Sequence, residues 1–139
     1  DGLYDVHEII RTQSKWDTYN SNIDWFNSKN IKIQGLLSLQ SLNILQLKEI
    51  CEYSKKFQIF NYHFVYVPAH LCIKNMHPSA KEKAIEVLKS IQNSPINLKP
   101  IYDLIQTPYN EKEWKKLLRW LDMYKDILNK TISYSTYTE

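Results

Sequence analysis

The 139 residues are enough for one domain with a sizeable core, and 43% hydrophobic content including ten Tyr, four Trp and four Phe excludes a disordered chain. A net charge of +3 with acids interleaved among the lysines gives no nucleic-acid signal, and the apolar runs are far shorter than a membrane span, so neither partner is expected and a cytoplasmic setting is the reading. Two cysteines, Cys51 and Cys72, exclude a disulfide framework and any cysteine-only metal or iron–sulfur site, which needs three or four thiolates; reduced, packed thiols are the default.

In chain order, Ser14 followed by Asp17 resembles a capping box, and Trp16, Tyr19, Ile23 and Phe26 share one stripe, which predicts a helix over 15–28. In "IKIQGLLSL" Ile31, Ile33, Leu37 and Leu39 alternate with Lys32, Gln34 and Ser38, the period of a strand over 31–39. Asn43 then opens a second helix over 44–56, accepting an orphan amide, with Ile44, Leu47, Ile50, Cys51 and Ser54 on its stripe. In "IFNYHFVYV" Phe60, Tyr62, Phe64 and Tyr66 alternate with Asn61, His63, Val65 and Val67, predicting a strand over 60–67 that Pro68 ends.

Beyond this point the pattern is helical. Pro78 suits a first turn and Ala84, Ile85, Leu88 and Ile91 give the stripe of a helix over 78–92. A helical turn follows Pro100, and Asn110 with Glu113 caps a long helix carrying Trp114, Leu117, Leu118, Leu121 and Leu128 inward. The last eight residues lack a period and are expected to fray.

Helix, strand, helix, strand is the pattern of parallel pairing in an α/β fold. Two parallel strands cannot cover both faces and both edges, so further strands are expected, and they should precede Asp1. The fold class is therefore α/β, with two parallel strands near 31–39 and 60–67 followed by a helical C-terminal part.

The ordered set Asp1, Gly2, Glu8, Ile10, Arg11, Ser14, Trp16, Asn22, Ser38 and Asn43 resembles the segment after the fourth barrel strand of radical SAM proteins, specifically the phage and environmental group with a twitch domain. Pro68, Leu71, Ile73, Pro78 and Lys81, and Asp122 within "LLRWLDMYKDIL", continue the resemblance along nearly the whole chain. It implies an incomplete parallel (β/α) barrel half over residues 1–75 with a helical C-terminal extension over 76–139, the C-terminal portion of a radical SAM enzyme whose cofactors are S-adenosylmethionine and a 4Fe–4S cluster. The Cys-x-x-x-Cys-x-x-Cys motif and the Gly-Gly-Glu-Pro stretch of that family are absent, and "GLLSL" stands where the family has Thr-Val-Ser. This chain alone is accordingly expected to bind no cluster and to be inactive, its partners being the missing N-terminal half of the barrel and a peptide or protein substrate.

The resemblance also implies cofactor-binding positions. Asp1 would lie at the barrel mouth near the ribose or methionine of the cofactor, and Arg11 would hold a carboxylate through its guanidinium fork. Gln34, Ser38, Asn61 and His63 form polar strand faces that a partial barrel turns toward its lumen, with the aromatic face under helices. Ser38 and His63 are thus cofactor-binding candidates, His63 reading alternatively as a core histidine bonded to a backbone carbonyl. His63, His70 and His77 recur every seven residues without sharing a face, so no metal site is expected. The other reading of the chain is a small non-catalytic α/β interaction module whose edge strand recruits a partner.

Overall fold

A computed structural model describes residues 1–128; the side chain of Leu128 and residues 132–139, on which two of the expectations fall, lie outside what it describes. The chain is a mixed α/β structure with a two-stranded parallel sheet and a helical C-terminal part. Its elements are α1 (Tyr4–Ile10), α2 (Trp16–Ser28), β1 (Gln34–Leu39), α3 (Leu47–Tyr53), β2 (Ile59–Phe64), α4 (Pro78–Ser90), α5 (Lys99–Ile105) and α6 (Glu111–Leu128).

The strand pattern is observed with shorter limits. β1 begins at Gln34 because residues before it finish α2: Asn30 adopts a left-handed φ of 54° and Ile31 N–H donates back to Phe26 O at 3.0 Å, which closes the helix C-terminus. β2 ends at Phe64 because that residue pairs with Leu39, the last residue of β1, leaving Tyr66 and Val67 no strand beside them. The register Gly35↔Phe60, Leu37↔Tyr62, Leu39↔Phe64 puts these six residues on one face, where Leu37 and Leu39 are buried and the aromatic side chains pack on the core.

The expected helix over 44–56 is α3 flanked by single 3₁₀ turns at Ile44–Gln46 and Ser54–Lys56, and its whole expected stripe is buried. Asn43 does not cap it, and neither does Ser14 with Asp17 cap α2; Glu8 Oε1 instead accepts the Trp16 N–H at 2.9 Å. Pro78 stands at the first turn of α4 and Asn110 Oδ1 accepts the Glu113 N–H at 3.3 Å at the start of α6, as the sequence predicts. α1 was not singled out by the hydrophobic spacing, although Leu3 and His7 fall on one side of it and are buried.

One apolar cluster runs from Leu3 and Trp16 through Leu37, Leu39, Leu47 and Met76 to Ala84, Ile101, Trp114 and Leu117. α4 packs on α3 and α5 on α4, so the C-terminal helices cover the same sheet face that α3 does. Lys81 is buried within this layer and donates from Nζ to Thr107 O at 2.6 Å, beyond the end of α5. The helices thereby leave the opposite sheet face open. Among the described residues no helix is long and apolar enough to cross a membrane.

Candidate functional site

The open sheet face carries Gln34, Leu36 and Ser38 from β1 and Ile59, Asn61 and His63 from β2, paired in that order. Leu36 is 63% exposed and Ile59 and His63 are exposed as well, so the reading of His63 as a core histidine does not hold. Ser38 and His63 are direct register partners near the C-terminal end of the pair. In parallel α/β sheets that end is where ligands collect, because the strands stop there and the loops begin.

The outer edge of β1 is organised by Asp1. Ile33 and Leu39 turn their carbonyls toward the β2 side, accepting from Gln58 N–H at 3.1 Å and Val65 N–H at 3.0 Å. Strand alternation then directs the backbone groups of Gln34, Leu36 and Ser38 to the other edge. There Asp1 Oδ1 accepts the Ser38 N–H at 3.4 Å, while its Oδ2 is ion-paired with Arg11 Nε. The Asp1 side chain is 8% exposed and that of Arg11 61%. Among the described residues the two Nη groups of Arg11 have no hydrogen-bond or ion-pair partner.

Asn43 fixes this arrangement. It is fully buried; its Nδ2 donates to Asp1 O at 2.7 Å and to Ser38 O at 2.9 Å, and its Oδ1 accepts the Gln40 N–H at 2.9 Å. Gln46 adds a second clasp, accepting the Leu3 N–H at 2.9 Å and donating to Leu3 O. The first residues of the chain are therefore tied to the turn after β1 through amide side chains. Sequence reasoning assigned Asn43 a local cap, because a long-range partner leaves no periodic trace.

Below Asp1, α1 supplies His7, 5% exposed, whose Nε2 lies 2.8 Å from Ser14 Oγ. The ring packs against Trp16 and Tyr19 at centroid distances of 5.5 and 4.7 Å. Asp1, His7, Ile10, Arg11, Ser14, Tyr19 and Leu36 take part in lining an open hollow of about 610 Å³. Burial pushes His7 below the ordinary histidine value, the α-amino group of Asp1 and, more weakly, Arg11 push the same way, and Glu8 opposes them. The unfolded chain consequently binds this proton more readily than the folded one, so stability is full above the unfolded value of about 6.5 and falls as pH drops below it. Melting temperatures measured from pH 7.5 downward should show that fall, and His7→Phe should flatten it.

The four candidate positions are brought near one another: Asp1 bonds Arg11 and Ser38, and Ser38 stands beside His63. Their polar groups are a carboxylate, a guanidinium, a hydroxyl and an imidazole, which together can meet a ligand bearing both charges. A four-iron cluster does not fit these residues: Cys51 and Cys72 are both buried in the helical layer, and among the described residues no group of three His, Cys, Asp or Glu is placed to hold a metal. No family model matches the chain, and comparison with curated proteins and with solved structures finds no match either.

Proposed function

We propose that the chain is the C-terminal part of a radical SAM enzyme, forming the closing strands of its partial barrel and one wall of its cofactor cleft. The observation that carries this reading is the meeting of Asp1, Arg11 and Ser38 at the C-terminal end of β1, with His63 beside Ser38 on an uncovered sheet face. Parallel sheets are normally covered on both faces, so the open face and the free edge at Gln34 and Leu36 suit a sheet continued by further strands from outside these residues. The cluster's ligands belong to that other portion.

Cluster and S-adenosylmethionine, when bound, supply a 5'-deoxyadenosyl radical that abstracts hydrogen from a substrate. The chain's residues bind and orient. The Nη groups of Arg11 hold the ligand's carboxylate bidentately, and Asp1 keeps the fork fixed by taking its Nε. Ser38 and His63 offer hydroxyl and imidazole hydrogen bonds toward the ribose and the substrate side of the cleft. Family relatives with auxiliary clusters often act on peptides or proteins, and a substrate of that class is the one proposed.

The test is anaerobic reconstitution of the protein with its preceding sequence attached, followed by chromatography for 5'-deoxyadenosine. Formation of this product, lowered at least about tenfold by Arg11→Ala, supports the reading. An extended protein that takes up no iron and yields no 5'-deoxyadenosine overturns it. Exposed Leu36 and Ile59 beside the free edge favour a second reading, a module that adds a partner's strand to β1. That reading requires the amides of Gln34 and Leu36 to gain exchange protection when a partner is added.

A further inference from the structure

We propose that Ser14 is an acylatable nucleophile served by His7 as general base, in a hollow that takes short acyl esters bearing a carboxylate. This rests on the turn between α1 and α2 and shares with the proposed function only the Arg11 guanidinium.

Ser14 Oγ and His7 Nε2 are 2.8 Å apart, within the range in which a base can take a hydroxyl proton. His7 is 95% buried by its 5% exposure, and its Nδ1 has no hydrogen-bond partner. Ser14 is half-buried and lines the open hollow of about 610 Å³ together with His7 and Arg11. The turn is fixed from both ends: Ser14 N–H donates to Arg11 O at 2.9 Å, with Gln13 in the left-handed region at a φ of 72°. Arg11 is thereby held on the same wall, with the Nη groups free for an anion.

The charged groups around the pair are the α-amino group of Asp1, Glu8, which accepts the Trp16 N–H and lies 3.7 Å from Lys15 Nζ, and Arg11, ion-paired to the Asp1 side chain. Burial holds His7 below the ordinary histidine value, and the neutral ring accepts a proton at Nε2 in the tautomer that carries its hydrogen on Nδ1.

In the acylation step Ser14 Oγ attacks the ester carbonyl, an Oγ–C bond forms and the ester C–O bond breaks. The Ser14 proton passes to His7 Nε2 and from there to the departing alkoxide or phenoxide. In the second step water attacks the acyl carbon, its proton passes through His7 back to Ser14 Oγ, and the acid is released. No electrons are transferred and only water is consumed. The orphaned Nδ1 leaves the imidazole without the orienting acceptor of a full triad, so a stable acyl intermediate and slow release are expected.

The probes are mono-4-nitrophenyl succinate and 4-nitrophenyl acetate, with intact mass and peptide mapping as readouts. The expected result is one acyl group per chain on Ser14, formed faster from the succinate ester, with Arg11→Ala removing that preference. Ser14→Ala should abolish the adduct and Ser14→Cys should restore it. His7→Gln should slow acylation by about 100-fold; circular dichroism separates this from loss of fold, and should His7→Gln unfold, the rate in folded protein must instead fall with acid as His7 charges. Acylation of Ser14→Ala at the wild-type rate, acylation confined to lysines, or equal Ser14 labelling in denaturant overturns the proposal.

Discussion

Asn43→Ala should lower the unfolding free energy by about 3 kcal/mol in a urea titration, since it leaves buried polar groups without partners. The side chain is fully buried and serves Asp1 O, Ser38 O and Gln40 N–H at once. Its loss also frees Asp1 from the edge of β1, so Arg11 should lose its fixed partner and the Asp1–Ser38 bond should open. Asn43→Asp should be no rescue, because a carboxylate can replace Oδ1 but not the donating Nδ2. A stability change under about 0.5 kcal/mol, the range of an unremarkable surface substitution, would show that Asn43 does not hold these segments together.

The second large effect concerns the sheet faces. Leu39 is fully buried, and Leu39→Ala should cost about 3 kcal/mol through lost burial and the cavity left behind. Leu36, three residues earlier on the same strand, is 63% exposed, and Leu36→Ala should change stability by about 0.5 kcal/mol or less. Chemical denaturation of both variants measures the contrast. Equal large losses would mean that the face carrying Ser38 and His63 is also core in this chain, which would remove the open cleft wall.

These two leucines also show how much of the fold could be read from the chain. Alternation in 31–39 and 60–67 revealed strands because one face is apolar and the other polar, and the stripes of α2, α3, α4 and α6 were legible for the same reason. The strand limits were not, because they depend on Ile31 closing α2 and on the Leu39–Phe64 register, which are tertiary events. α1 was missed because its entry is fixed by Gln46, forty-three positions away, and shows no side-chain cap of its own. Ser38 and His63 could be chosen from their place on the polar face. Asn43 and the His7–Ser14 contact could not, since the first acts across the fold and the second turns on a left-handed Gln13.

S-adenosylmethionine titrated into the isotopically labelled protein, joined to the further barrel portion that the proposal calls for, and followed through amide and imidazole resonances tests the account most directly. The proposal predicts shifts concentrated at Arg11, Ser38 and His63 and lost in Arg11→Ala, because Ser38 and His63 are register partners at one end of the sheet and Arg11 is tied to Ser38 through Asp1. Saturable binding with those resonances unmoved, or with shifts confined to α4–α6, would contradict it.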